Sequence, residues 1–230
     1  MLFLGVFQIS LPYGLVFWGE QYISSGLAAV LFATLPFFVV IFAHVLVKGE
    51  RLTGVKVVGV IASFAGLVAI FWGDIVVSQT LGAQNSLYGS LAVVGGASSC
   101  GLANVVGKRY AARIDPAANV LVQALTGTVF LSLVGIATER GSVLSFTLSA
   151  VFAVLYLAIV GSALAFVGLY WLLTKTTATN ASLLAFITPI FALILGWGFL
   201  GEIPDLNVGL GTALILGGVY LTVKPADRLF

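Results

Sequence analysis

The stretch FATLPFFVVIFAHVLVKGE (Phe32 to Glu50) and its echo FITPIFALILGWGFLGE (Phe186 to Glu202) decide how this chain is read. Each sets a proline inside an apolar run and closes on Gly-Glu. An apolar run of this length is a helix that crosses a bilayer, because about 20 residues rising 1.5 Å each cover roughly 30 Å of hydrocarbon. Working outward, the rest of the chain has the same character: 60% of residues are hydrophobic and 8% charged, about a third of the charged share of a soluble domain. Eight apolar blocks emerge, at Leu2 to Gly19, Ile23 to Val47, Val55 to Trp72, Leu87 to Gly107, Asn119 to Thr138, Val151 to Leu173, Ala178 to Leu200 and Leu206 to Val223. They are continuous rather than alternating, which excludes the strands of a membrane barrel. The expected fold is an all-α integral membrane bundle of eight transmembrane helices.

Charge gives the expected orientation. With the first residue cytoplasmic, Lys48, Arg51, Lys56, Lys108, Arg109, Arg113, Lys175, Lys224 and Arg228 fall in inside loops and only Arg140 falls outside. Lys and Arg are retained on the cytoplasmic side during insertion, so both termini are expected there. Trp18, Trp72, Trp171 and Trp197 lie near span ends, where an amphipathic ring suits the headgroup layer. The start MLFLGVFQIS lacks the basic flank of a signal peptide and reads as a mature helix.

Aligning the two opening stretches on Pro36 and Pro189 brings Trp18 onto Trp171, Ala28 onto Ala181, Leu31 onto Leu184, Phe38 onto Phe191 and Ile41 onto Ile194. One gap later Gly49-Glu50 meets Gly201-Glu202, Gly59 meets Gly211 and Gly66 meets Gly218. The matching spans are the second and the seventh, and an odd offset gives the copies opposite orientations. Inverted repeats of this kind recur in secondary transporters, whose halves rock around a midplane site.

These residues resemble the EamA-type transporters of the drug/metabolite transporter superfamily: the A..L....P helix (Ala28, Leu31, Pro36; Ala181, Leu184, Pro189), the Gly-Glu loop (Glu50, Glu202) and the glycine-rich helix after it (Gly59, Gly66; Gly211, Gly218). The resemblance implies ten helices in two inverted halves of five. Against that pattern residues 1–73 form an incomplete first repeat of three helices, 74–86 an external linker, 87–224 a complete second repeat and 225–230 a cytoplasmic tail. The chain is thus expected to lack the first two helices, as a truncated gene, a fragment or a misassigned start would. The expected activity is alternating-access transport, as exporter or permease, of a small neutral or amphipathic organic metabolite in a bacterial inner (plasma) membrane. The expected partners are a small-molecule substrate and the lipid bilayer, with no nucleic acid. A reading from another class is a non-transporting remnant or scaffold that binds other helices through glycine faces.

No Asp, Glu, Lys or Arg lies near a span centre, so no proton-coupling carboxylate can be named. Glu20 and His44 sit at span ends, where interfacial solvation accounts for them. With one histidine and one cysteine no metal site or Cys/His pair can be assembled, and no cofactor is expected. GASSCG and VGSALAF carry serines, but His44 is placed too far from Ser98, Ser99 and Ser162 to serve as their base. An enzyme is therefore not expected.

What remains is a set of uncharged polar residues at the midplane: Gln8, Ser10 and Tyr13 on the first span, Thr34 on the second, Ser98 and Ser99 on the fourth, Thr126 on the fifth, Ser162 on the sixth and Thr188 on the seventh. Polar groups in hydrocarbon need partners and should face the interior, giving a neutral hydrogen-bonding cavity beside kinks at Pro36 and Pro189. Gln8 has the strongest claim, since an amide has several donors and acceptors to satisfy. For any single hydroxyl, interhelical bonding worth about 0.6 kcal/mol is the competing account. Asn104 is equally suited to a neighbouring helix or a substrate. Phe17 and Tyr170 offer apolar walls. Small-residue ladders (Gly59, Ser63; Ala62, Gly66; Gly209, Ala213, Gly217) suit close packing or a homodimer through helices 55–72 and 206–223.

Overall fold

The computed structural model describes residues 1–47, 50, 53–72, 83–110, 113–138, 147–195 and 206–223. Among these the regular structure is helical throughout: α1 (Leu2–Gly19), α2 (Ser25–Leu46), α3 (Gly54–Ile70), α4 (Ala83–Tyr110), α5 (Pro116–Thr138), α6 (Leu148–Lys175), α7 in two pieces (Ala178–Ser182 and Leu184–Leu195) and α8 (Leu206–Val223). Over the described residues, α1, α2, α4, α5 and α6 are long and apolar enough to cross a membrane, and the other three expected spans coincide with shorter apolar helices. The helix starts are set by local chemistry. Ser24, Thr53, Thr147 and Thr177 each accept from the backbone N–H three residues on, and Asp115 Oδ1 accepts from Ala118 at 2.9 Å, so orphan donors are satisfied before the apolar run begins. At the other end of α6, the Lys108 ammonium donates to the Leu173 carbonyl at 2.6 Å, a cation on a helix C-terminus.

Two buried clusters hold the bundle. One joins Leu35 and Val39 of α2, Ala97 and Cys100 of α4, Val120 of α5, Tyr170 and Leu173 of α6 and Ala181 of α7. The other joins Val40 of α2, Val60 and Leu67 of α3, Leu183 and Phe186 of α7 and Ile215 of α8. Between Leu148 and Leu164, by contrast, α6 buries no residue. Phe152, Leu155 and Ile159 are exposed there, a surface suited to lipid rather than water.

α3 and α8 approach each other backbone to backbone through glycines. A Cβ on Gly59 would lie 2.6 Å from the Gly218 carbonyl oxygen, and one on Gly211 would lie 2.6 Å from that of Gly66. Between these contacts the Ser63 hydroxyl donates to Ile215 O at 3.1 Å. The helices run antiparallel, and the contacts are reciprocal: the repeat equates Gly59 with Gly211 and Gly66 with Gly218, so each contact maps onto the other. The ladder expected at Gly209 and Gly217 is not the face that packs on α3, since among the described residues a Cβ on either would meet nothing within 4 Å. The working face is Gly211, Ile215 and Gly218, one helical phase away. Gly59, Gly66, Gly211 and Gly218 are therefore buried against one another inside one chain.

The prolines are not the matched kinks expected from the sequence. α2 is interrupted at Ala33 and Thr34, and Pro36 sits in the first turn of the piece Leu35–Leu46, where a missing N–H costs nothing. The Thr34 hydroxyl donates to Leu31 O at 2.7 Å across the interruption. α7 breaks instead at Leu183, which the repeat equates with Val30, and Pro189 falls inside Leu184–Leu195.

The Gly-Glu loop also does more than end a helix. Glu50 is 7% exposed. Its carboxylate accepts from Ala178 N at 2.8 Å, Thr179 N at 3.3 Å and Thr179 Oγ1 at 3.1 Å, anchoring the start of α7. Glu202 and Trp197 lie outside the described residues.

Candidate substrate cleft

A matched irregularity shapes the two helices that face each other across the interior. Residues Gly5–Ser10 of α1 and Leu157–Leu164 of α6 wind as π-helix, a geometry concentrated at functional sites. Residues 5–10 correspond to 158–163 at the 153-residue separation of Pro36 and Pro189, so the two turns are equivalent under the repeat. In α1 the Leu11 N–H reaches back five residues to Val6 O, and Pro12, which has no N–H, follows directly.

Beside these turns lies a cleft of 390 Å³ between α1, α2, α4, α6 and α7, within the size range of small-molecule sites. Its walls draw on both copies at the same separation: Gln8 with Gly161, Pro12 with Ala165, Tyr13 with Phe166, Val16 with Leu169 and Phe32 with Ala185 all line it. No Asp, Glu, Lys, Arg or His is among the lining residues. The pairing is polar against apolar where it matters, because the amide of Gln8 faces a glycine counterpart and the phenol of Tyr13 a phenyl ring. Cys100 and Asn104, one turn apart on α4, continue the polar wall, with Ser182 of α7. A second cleft of 500 Å³ lies behind Tyr13 and Phe166, and Ser162 lines it.

The structure thus brings Gln8 and Tyr13 to the first cleft and Tyr13 and Ser162 to the second. The other expected residues are held elsewhere. Ser10 donates to Gly5 O at 3.3 Å, Thr126 to Val122 O at 2.7 Å and Thr188, which is exposed, to Leu184 O at 2.8 Å. Ser99 bonds α4 to α1 through Phe7 O at 2.9 Å. Ser98 is half-buried, Pro36 is buried, and neither lines these two clefts; of Pro189 only the backbone is described. Tyr170 is core rather than wall, 2% exposed, and donates to Gln123 Oε1 at 3.0 Å. Phe17 stacks on Tyr13 with centroids 6.0 Å apart but is itself exposed.

The sequence reading gave the single cysteine, Cys100, no part in the cavity, left Asn104 open and did not select Ser182. The available signal was the four-residue spacing of Cys100 and Asn104, which puts both on one helix face.

Gln8 is 2% and Asn104 5% exposed. Gln8 Nε2 donates to Cys100 Sγ at 3.3 Å, while Gln8 Oε1 and Asn104 Oδ1 have no hydrogen-bond partner among the described residues. The lining is therefore uncharged and largely apolar, with hydrogen-bonding capacity held at Gln8, Cys100 and Asn104.

A polytopic helical bundle with an uncharged cleft lined by pseudo-equivalent residues belongs to the class of membrane transport proteins. Residues 1–72 and 87–224 match the EamA-like transporter family, and the chain belongs to that family. It is 29% identical over 215 residues to the uncharacterized transporter YoaV of Bacillus subtilis strain 168, covering 94% of this chain and 72% of that one. It is 28% identical over 221 residues to an uncharacterized transporter of Archaeoglobus fulgidus, covering 96% and 76%. The uncharacterized inner membrane transporter YedA of Escherichia coli K12 is 28% identical over 219 residues, covering 95% and 68%. A solved crystal structure shares the fold with a TM-score of 0.77 at 22% identity, over 97% of this chain and 76% of that one.

Proposed function

We propose that this protein is a secondary transporter that carries a small neutral or amphipathic organic metabolite by alternating access. The observation that carries the reading is the cleft, whose lining residues pair across the repeat and include no charged side chain. Two pseudo-symmetric walls around one site are what a rocking mechanism needs, since either wall can part from the other. The neutral lining argues against a substrate with a tightly paired charge at each end.

Residues 1–73 and 87–224 act in this proposal as two repeats joined by 74–86, in keeping with a family match that is broken between residues 72 and 87. Both termini are placed on the cytoplasmic side by the basic loops, nine of ten Lys and Arg falling there. The bacterial inner membrane is the proposed location, supported by the name of the Escherichia coli relative.

Reconstitution of the purified protein in proteoliposomes tests the function. Across a panel of amino acids, amines, amides and nucleosides, at least one compound should show saturable uptake and counterflow. Monodisperse, helical protein that moves none of them in either direction would end the transport reading.

A further inference from the structure

The polar end of the cleft is left unfinished by the protein. Gln8 Oε1 and Asn104 Oδ1 are buried acceptors without donors among the described residues, whereas the large majority of buried side-chain polar atoms find a partner in folded proteins. Both side chains line the same cleft. They also belong to one end of it: Gln8 touches Cys100 through its amide nitrogen at 3.3 Å, and Asn104 follows Cys100 by one turn on the same face of α4. The surrounding wall is apolar and partly aromatic, with Val16, Phe32, Leu35, Phe166 and Leu169.

Two oxygens with free lone pairs select for a group that donates twice. A carboxylate would set its own lone pairs against them. A hydroxyl has one proton and could satisfy only one.

We infer that this end of the cleft is a donor-reading subsite, which takes a nitrogen headgroup bearing at least two N–H bonds, a primary amine or primary amide, and leaves an apolar or aromatic body against Phe32, Phe166 and Leu169. The inference names a substrate class for the transport reading and rests on it. At Gly161, the repeat partner of Gln8, the second copy has no side chain to compete for the headgroup.

The test is equilibrium binding to the purified full chain in nanodiscs, using four probes of common shape: 2-phenylethylamine, 3-phenylpropanamide, 3-phenylpropanoate and propylbenzene. At least one of the two donors should bind about tenfold or more tighter than the carboxylate, the scale of one added hydrogen bond. Comparing the amine with the amide separates a charged from a neutral head. Gln8→Leu and Asn104→Leu should each abolish the preference while propylbenzene binding persists, which also reports that the variant has folded. The series on the unsubstituted protein decides the matter even without the variants. Carboxylate binding as tight as the better donor, or no binding of either donor, overturns the subsite. Donor-selective binding with no flux of any compound would defeat the transport reading and leave the subsite standing. Flux without donor preference would do the reverse.

Discussion

Glu50 Oε1 accepts the backbone N–H of Ala178 at 2.8 Å, joining the loop after α2 to the first turn of α7. The repeat makes α2 and α7 equivalent helices, so this buried carboxylate ties one copy to the other at their corresponding elements.

Removing that tie should be costly. Glu50→Ala leaves the Ala178 and Thr179 amides unpaired in a site that is 7% exposed, and about 1.5–3 kcal/mol of stability should go with a hydrogen bond to a charged group. Glu50→Gln keeps one acceptor for Ala178 but points an NH₂ at the Thr179 amide, so it should fall between the two. Thermal unfolding in a fixed detergent would rank the three proteins; equal midpoints would remove the anchoring role.

The α3–α8 contact gives a paired expectation. Gly66→Ala and Gly211→Ala each drive a methyl group to about the same distance from the other's carbonyl, 2.5 and 2.6 Å before relaxation. Each should destabilise by about 1–3 kcal/mol, as overpacking does. Gly209→Ala and Gly217→Ala, with open space around the new methyl, should stay within about 0.5 kcal/mol of the parent. Unfolding midpoints for the four variants check this, and a uniform response would contradict the assigned helix face.

The two prolines should separate by position. Pro36→Ala falls in a first helical turn and should alter stability by less than about 1 kcal/mol. Pro189→Ala restores a backbone donor within Leu184–Leu195 and relieves the clash with the preceding turn. It should have the larger effect on flux. Measuring initial uptake rates at matched reconstitution would show it; equal rates for both variants would deny Pro189 a part in the motion.

The sequence contains a single cysteine, and Cys100 lines the cleft, so a thiol reagent reports on that place alone. Methyl methanethiosulfonate should modify it slowly in the empty protein, and a saturating bound ligand should slow the reaction by about tenfold or more, in proportion to site occupancy. The modified protein should lose uptake, because the new group occupies the volume next to Gln8. Mass spectrometry of timed samples gives the rate; a rate indifferent to ligand would remove Cys100 from the occupied space.

The helices were legible because hydrocarbon thickness fixes their length and composition, and the duplication because Pro, Trp and Gly-Glu repeat at nearly constant spacing. What the spacing could not reveal is contact. Equivalence pairs Gly59 with Gly211, whereas Gly59 touches Gly218. Glu50 finds its partners 128 residues away, beyond any local pattern. The hydroxyls misled for a local reason: Thr34, Thr126 and Thr188 satisfy themselves on carbonyls three or four residues back in their own helices, so a polar residue in an apolar span need not face a cavity. Gln8 could not do this fully, and it lines the cleft where the three threonines do not.

The reciprocal contact between α3 and α8 has the form of an isologous interface, the kind that joins two identical subunits about a two-fold axis. Here both sides are encoded in one chain, so a substitution on one side is not copied to the other. A true symmetric pair must present the same side chain twice around its axis, and an amide near that axis would face a second amide. Fusion lifts that constraint: the seam keeps its matched glycines, while glutamine stands on one wall of the cleft and glycine on the other. Walls differentiated in this way are what the proposed ligand, with its two different ends, requires.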